Sequence, residues 1–519
     1  MSLTESISAR TTCFIDSTVV EDISDVQARL AGHRVEIVLE PTVADSFTGQ
    51  YIAFTLMNML VRLDAYCPIL EAVLPMTTRH ALLRLLSPGL LREAIEEFLA
   101  PFPAATRLTF HDEQRISSRG DLRVVIGPSK AVGSLSVWAN GWIAYLNENA
   151  PVDYEDPNSI GASVAAGLAT AEVFKRLLSG LRLRPGVKVL PLDHLVFSAF
   201  DYSLAANYNP PLPTTIDLGG AIVVGLGGIG SAFVAAASSL PSLGGPVVFL
   251  DADKLDSTNL NRHLIARPGD AGLKVDLCRR ALAFHSEVEA RPEWFGDFLA
   301  TQGDEHELIV VGVDKDRVRR EVQASLPRII LNAGTSDIGS FRVTRHDYLQ
   351  GACLACVSRD DLTDNPVERE LARQLGLDLA TILSFRSSRE PIPVALLRSG
   401  GVLSEENVQL LGDQPLAEIQ RRVCGQLLLA SESQPEEAVS ISFLSALPGF
   451  LLLGELIKER SYPSMRRPPL NDRVNHSMLS VLGRPHPALL NGWREKREGC
   501  DCVRSAFQRA YRRKWLAGA

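Results

Sequence analysis

Residues 222–231 read IVVGLGGIGS, residues 249–264 read FLDADKLDSTNLNRHL, and residues 271–274 read AGLK. An apolar run enters a glycine-rich turn and then a helix-forming stretch. A second apolar run ends in a carboxylate, and the polar loop behind it supplies an arginine and a lysine. This order predicts a strand–turn–helix phosphate site on an α/β sheet, with cations placed for a triphosphate.

Gly225, Gly227, Gly228 and Gly230 give G-x-G-G-x-G directly after a strand. Glycines allow the turn and let backbone N–H groups at the helix start approach a phosphate. Any dinucleotide-binding protein can show that much, and so can a tight turn with no ligand. Asp251 ends the next strand, where a carboxylate can accept hydrogen bonds from both ribose hydroxyls. Asn259, Arg262 and Lys274 then separate the possibilities. Hydride transfer needs no arginine and lysine beside the phosphates, whereas an enzyme that splits ATP between its first and second phosphates does. The bland alternative for the two cations is solvated surface charge. Asp314, in VVGVDKDRVRRE, follows a third strand and can hold Mg²⁺ at the sheet edge or cap a helix. Asp316 competes for either role, and Arg319 follows one turn later.

The 519 residues suffice for two to four domains. With a net charge of −8 and no Lys/Arg run interleaved with aromatics, the composition argues against nucleic acid as a partner. Residues 441–457, ISFLSALPGFLLLGELI, carry Pro448 and Glu455 and read as core, not as a membrane span. With no signal-like N-terminus, a soluble, cytoplasmic protein is expected. Eight cysteines in so long a chain make no secreted disulfide framework.

The expected architecture is α/β: a Rossmann-like domain with a mostly parallel sheet, an N-terminal α/β domain, and a cysteine-bearing insertion. Residues 1–182 form the N-terminal domain, with residues 1–30 a mobile or loosely packed leader. Strands are expected at HRVEIVLEP, DLRVVIGPS (121–129) and GSLSVWANGWIAYLN (133–147), and helices at 47–70 and 160–178. This half has no complete phosphate loop; VIGPSKAVGS is the nearest approach. Residues 183–219 are proline-rich and read as a linker or covering segment. Residues 220–356 are the nucleotide-binding unit, with strands at 221–224, 246–250, 308–312 and 328–332. Residues 357–437 are a polar insertion, and 438–519 return to the main domain. No internal repeat is evident by eye.

The succession GxGGIG, LDxDxxxxxNLNR, GxxK and xxxD, followed by LNAGTSDIGSFRV and CLAC, resembles the ThiF/MoeB family, whose superfamily includes the ubiquitin-activating enzymes. That resemblance implies adenylation, with ATP and Mg²⁺, of the C-terminal glycine carboxylate of a small ubiquitin-like protein. It further implies that Asp251 binds ribose, Asn259 and Arg262 meet the phosphates, Lys274 meets the transferred end, and Asp314 binds magnesium. The family's usual Asp-Asn at the magnesium position is here Asp314-Lys315. Cys353 and Cys356 fall where many members carry half of a structural Zn²⁺ site, and Cys500 and Cys502 are the candidate second half. That second pair is one residue tighter than usual, which leaves open a three-sulfur site or two metal-free pairs. Ubiquitin-activating members also carry a thioester cysteine in an insertion. Cys424, in RRVCGQ, is the one thiol of residues 357–437 and follows two arginines that favour thiolate; a buried helix cysteine is the alternative. The resemblance implies paired adenylation halves and a homodimer, with residues 30–180 either an inactive half or a platform for the ubiquitin-like protein, and a conjugating-enzyme-like protein to receive the thioester. Three alternatives stand beside it: a sulfur-carrier or peptide adenylase without a thioester step, an NAD-binding oxidoreductase, and a non-enzymatic scaffold.

Overall fold

The computed structural model describes residues 3–66, 69–80, 82–112, 122–184, 187–335, 339–358, 390–416, 441–462 and 474–516, with short pieces between 371 and 385 and residue 419. It divides into two units, 1–358 with 438–519, and 359–437.

The larger unit begins with helices α1 (Leu3–Thr18) and α2 (Ile23–Ala31), where the sequence predicted a loose leader. Ile7, Thr11, Phe14, Ile15 and Thr18 are buried along one face of α1. The two threonines disguise a helical stripe that is otherwise apolar. A first sheet follows: β1 (Arg34–Leu39), β2 (Ile69–Val73), β3 (Leu108–His111), β4 (Leu122–Ile126), β5 (Leu135–Asn140), β6 (Ile143–Leu146) and β7 (Leu195–Ser198). Stretch 133–147, expected as one strand, is a hairpin, because Asn140-Gly141 supplies a turn and Gly141 has φ +57°. Strand β7 lies inside the proline-rich stretch. Helices α3 (Phe47–Val61), α4 (Leu91–Leu99) and α5 (Ser159–Leu177) complete this half.

A second sheet contains β8 (Ala221–Val224), β9 (Val247–Leu250), β10 (Val288–Arg291), β11 (Leu308–Val311), β12 (Ile329–Thr335), β13 (Ser340–Asp347) and β14 (His476–Ser480). Its helices are α6 (Gly228–Ser238), α7 (Lys274–Ala281), α8 (Phe295–Gln302), α9 (Asp316–Ala324) and α10 (Ser442–Ser461), with α11 (Ser505–Trp515) in the tail.

The two sheets have the same design. The first runs β3-β2-β1-β4-β5-β6-β7 and the second β10-β9-β8-β11-β12-β13-β14. In each, five parallel strands are followed by two antiparallel ones. The long helices match too. A buried Glu172–Lys175 ion pair on α5 and a buried Glu455–Lys458 pair on α10 stand at the same distance from Ser159 and Ser442, the first residues of their helices. The halves share one core: α10 packs on both α6 and α5, Leu447 lies against Gly167, and Phe174 meets Phe443 at 5.4 Å. Among the described residues no helix is long and apolar enough to cross a membrane.

The smaller unit has its own apolar cluster, including Leu371, Leu375, Ile382, Ile392, Leu397, Val408 and Leu411. Cys424 lies outside the described residues.

Candidate functional site

Strand order reverses at β8, between β9 and β11, the point at which open α/β sheets carry a ligand crevice beyond the C-terminal ends of their strands. Gly225 leaves β8 with φ +93°, a conformation that L side chains rarely adopt. A Cβ on Gly230 would lie 2.1 Å from the Gly225 oxygen, so the first turn of α6 sits directly on the loop. Gly227 caps α6, and a Cβ there would have no neighbour within 4 Å. That is the room a phosphate needs above exposed N–H groups and a positive helix end.

Asp251 follows β9 and is buried beneath this loop. Its Oδ2 accepts from Leu226 N at 2.6 Å and its Oδ1 from Asp253 N at 2.8 Å. Burial raises its pKa, and the Lys274 charge pulls it back. Lys274, at the start of α7, places Nζ 2.8 Å from Asp253 Oδ2 and 3.9 Å from Asp251 Oδ1. Asp253 escapes a sequence reading, because an exposed carboxylate three residues past the strand carries no distinctive pattern.

Arg262 projects toward the glycine loop. Its Cγ lies 3.1 Å from where a Cβ on Gly228 would stand. Its Nη1 donates to Thr258 O at 2.9 Å and to Asn261 Oδ1 at 3.0 Å. Asn259 ends a 3-10 turn, Ser257–Asn259, and its side-chain oxygen accepts from Asp256 N at 3.2 Å, closing a capping box with Asp256. Thus the structure uses Asn259 to shape the loop that presents Arg262. Helix α1 packs against the same turn. The Asp256 carboxyl is held below its usual range, first by the Thr258 hydroxyl and amide, then by the charges of Arg10 and Arg262. Arg10 is therefore a further cation at this edge, supplied by the segment that the sequence suggested was loose.

Asp314 is exposed just past β11. Its competitor Asp316 accepts from Arg319 Nη1 at 2.7 Å, while Arg319 Nη2 donates to Val313 O at 2.6 Å. Asp316 is thereby tied to its own helix start, and Asp314 is the carboxylate at the strand end.

The equivalent edge of the first sheet is built differently. Glu40-Pro41-Thr42 replaces the glycine loop after β1, and Leu74-Pro75 replaces the carboxylate after β2. The Glu40 side chain lies across this edge against the end of β4: a Cβ on Gly127 would lie 2.1 Å from its Oε2.

Cys353, Cys356, Cys500 and Cys502 come together with all four sulfurs within 4.8 Å of one another. Three separations are 3.7, 3.6 and 3.4 Å. Sulfurs about 2.3 Å from a tetrahedral Zn²⁺ lie about 3.8 Å apart, so the donor set fits that ion. Sulfur hydrogen bonds from Cys353, Cys500 and Cys502 pull the Cys356 thiol well below its usual range. The short Cys500-x-Cys502 spacing is accommodated by a 3-10 turn over Asp501–Val503.

Asp251 gives the site a pH signature. Its folded pKa lies above the ordinary 3.8, so as pH falls it takes up a proton earlier than an unfolded aspartate. Folding stability gains from this on the acid side, whereas the carboxylate is lost as an acceptor for a ligand. If Asp251 is the ribose acceptor that the sequence reading expects, ATP affinity should drop at a pH above 3.8 while the fold persists, measured by calorimetric titration against circular dichroism at each pH. Loss of both together would contradict this account.

Residues 216–458 match the ThiF family and residues 34–183 match the BilD N-terminal domain. An uncharacterized protein, y4jF, of Sinorhizobium fredii (strain NBRC 101917 / NGR234) is 29% identical over 412 residues, covering 75% of this chain and 76% of that one. Ubiquitin-like modifier-activating enzyme 5 of Drosophila mojavensis is 30% identical over 174 residues, and the match spans 29% of this chain and 43% of that relative. A crystal structure of E. coli MccB with succinimide aligns at 15% identity and TM-score 0.33, over 55% of this chain and 66% of that one.

Proposed function

The chain belongs to the ThiF/MoeB superfamily of E1-like adenylyltransferases, and from that premise we propose that it activates the C-terminal carboxylate of a ubiquitin-like protein with ATP and Mg²⁺. One observation carries this reading. The glycine loop, the buried Asp251, the Lys274 ammonium and the Arg262 guanidinium converge on a single crevice at the sheet's switch point. The N–H groups at the start of α6 hold the triphosphate, and Asp251 holds the ribose. The substrate carboxylate attacks the α-phosphorus, an acyl adenylate forms, and pyrophosphate leaves. Arg262 and Lys274 stabilise the charge that grows on the leaving group. Asp314 would hold Mg²⁺, which would supply further charge neutralisation on the phosphates.

The thioester step extends the proposal. The Cys424 thiolate attacks the acyl adenylate, AMP leaves, and the acyl group passes to a conjugating-enzyme-like protein. The four cysteines hold a structural Zn²⁺, and the reaction belongs in the cytoplasm. Both adenylation-like sheets lie in one chain, so a homodimer is not required to complete the pair. The first sheet, with Glu40 across the equivalent edge, serves as the inactive half.

Purified chain with its carrier should exchange labelled pyrophosphate into ATP. Cys424→Ala should leave exchange within about twofold and abolish a thiol-reducible carrier adduct. Exchange with no adduct in the unsubstituted chain would favour a sulfur-carrier or peptide adenylase. Absence of exchange with every candidate carrier would refute the adenylation reading.

A further inference from the structure

The loop that carries Arg262 is held from the other half of the molecule. The carbonyl oxygens of Leu260, Leu264 and Ala266 all accept from Arg62, at 2.6, 3.2 and 2.8 Å. Arg62 caps the C-terminus of α3 and is completely buried. Asn58, one turn earlier, accepts from Arg62 Nε at 3.0 Å and from Nη2 at 2.9 Å, and donates to Leu264 O at 3.0 Å. The guanidinium stands 4.7 Å from the centroid of the Phe102 ring. All three nitrogens of the fork are thus engaged, and three of the five acceptor contacts reach one turn of the second half.

That turn has a second support on its opposite side. Leu264 N donates to Ser231 Oγ at 3.1 Å, and Ser231 lies in the first turn of α6, behind the glycine loop. Arg262 projects between these two anchors, and its neighbours Asn261 and His263 are fully buried. Among the described residues Arg62 has no carboxylate within ion-pairing distance. Burial brings its pKa down to about 9, with only the charge of Asp270 opposing. A buried, unpaired cation is a poor device for general stability, because its desolvation is not repaid by an opposite charge. Its fork geometry suits it instead to gathering carbonyls into a fixed shape.

We infer that Arg62 is a positioning residue for the nucleotide site: through it, the N-terminal half fixes the 260–266 turn so that Arg262 is presented over the first turn of α6. The inference rests on the reading of that crevice as an ATP site. It gives the inactive half a specific task in the chemistry of the active one.

A double-substitution cycle in the full-length chain tests it, with binding of the non-hydrolysable analogue AMPCPP plus Mg²⁺ as the readout. Arg62→Lys keeps the charge but cannot span three carbonyls. It should weaken binding about fivefold to tenfold, and by less than about twofold when Arg262 is already alanine. Equal losses in both backgrounds would show that Arg62 supports the fold at large and would overturn the inference, as would unchanged affinity in Arg62→Lys. If Arg62→Lys does not fold, Asn58→Ala, which withdraws the acceptor that orients the fork, goes through the same cycle with the same two outcomes. Failure of the unsubstituted chain to bind AMPCPP would overturn the ATP reading beneath it; additive losses would overturn only the role of Arg62.

Discussion

Arg262→Ala should slow ATP–pyrophosphate exchange by about 10²–10³-fold, because it removes a preplaced donor from the point where charge develops. Its effect on nucleotide affinity should be smaller, about tenfold, the worth of a charge-assisted contact already present before reaction. Lys274→Ala should be different in kind. Lys274 Nζ stands between Asp253 and Asp251 at 2.8 and 3.9 Å. Its loss leaves two neighbouring carboxylates without their cation and raises the Asp251 pKa further, since the Lys274 charge is the main influence holding that pKa down. On the proposed roles of Asp251 and Lys274, the ribose and phosphate contacts then weaken together. KM for ATP should rise and kcat fall together in Lys274→Ala, whereas kcat should carry most of the loss in Arg262→Ala. Steady-state exchange at several ATP concentrations separates the two patterns. Two indistinguishable profiles would mean that Lys274 does not couple the ribose and phosphate ends.

The features that set those two residues apart were unevenly visible in the chain. Glycine spacing, the terminal carboxylate of β9, Arg262 and Lys274 are local in sequence, and short-range pattern captures them. What escaped was whatever depends on distant segments meeting. Arg10 and Arg62 are ordinary arginines on helices. Only the fold brings α1 against the Ser257–Asn259 turn and the end of α3 against residues 260–266. The shared topology of the two halves was hidden for a related reason. Strand order is the same in the two halves, but order follows from pairing and not from residue identity, and where one half has the glycine loop the other has Glu40-Pro41-Thr42. One trace was readable: Ser159 with Glu172 and Lys175, and Ser442 with Glu455 and Lys458, at equal spacing. A Glu and a Lys one turn apart usually decorate an exposed helix face, so the pattern draws no notice until both pairs prove to be buried.

The second large effect concerns the tail. If Zn²⁺ sits among the four cysteines, purified protein should carry about one zinc per chain, and each of Cys353→Ser, Cys356→Ser, Cys500→Ser and Cys502→Ser should lose it. The tight Cys500-x-Cys502 pair makes Cys502 decisive. A three-sulfur site would spare the metal in Cys502→Ser, but Cys502 Sγ lies 3.4 Å from Cys356 Sγ and its side chain is fully buried, which favours four ligands. Metal loss should unfold the tail locally and leave the sheet intact. Beyond the cysteines, α11 is held by a few polar contacts: Tyr511 to Arg328 O at 2.8 Å, Trp515 to Leu326 O at 2.7 Å, and Lys514 to Ser325 O at 2.7 Å. Tyr511 is the one buried residue of the helix, stacked on Tyr348 at 5.3 Å beside the cysteines, and much of the rest faces solvent, so its apolar anchoring is concentrated at the cysteine cluster. Hydrogen exchange in residues 494–516 should accelerate by about two orders of magnitude or more on chelation, while the amides of β8 and β11 keep their protection. Uniform loss of protection across both sheets would instead make the metal a support of the whole domain, and unchanged exchange in the tail would mean that the cysteines pack there without it.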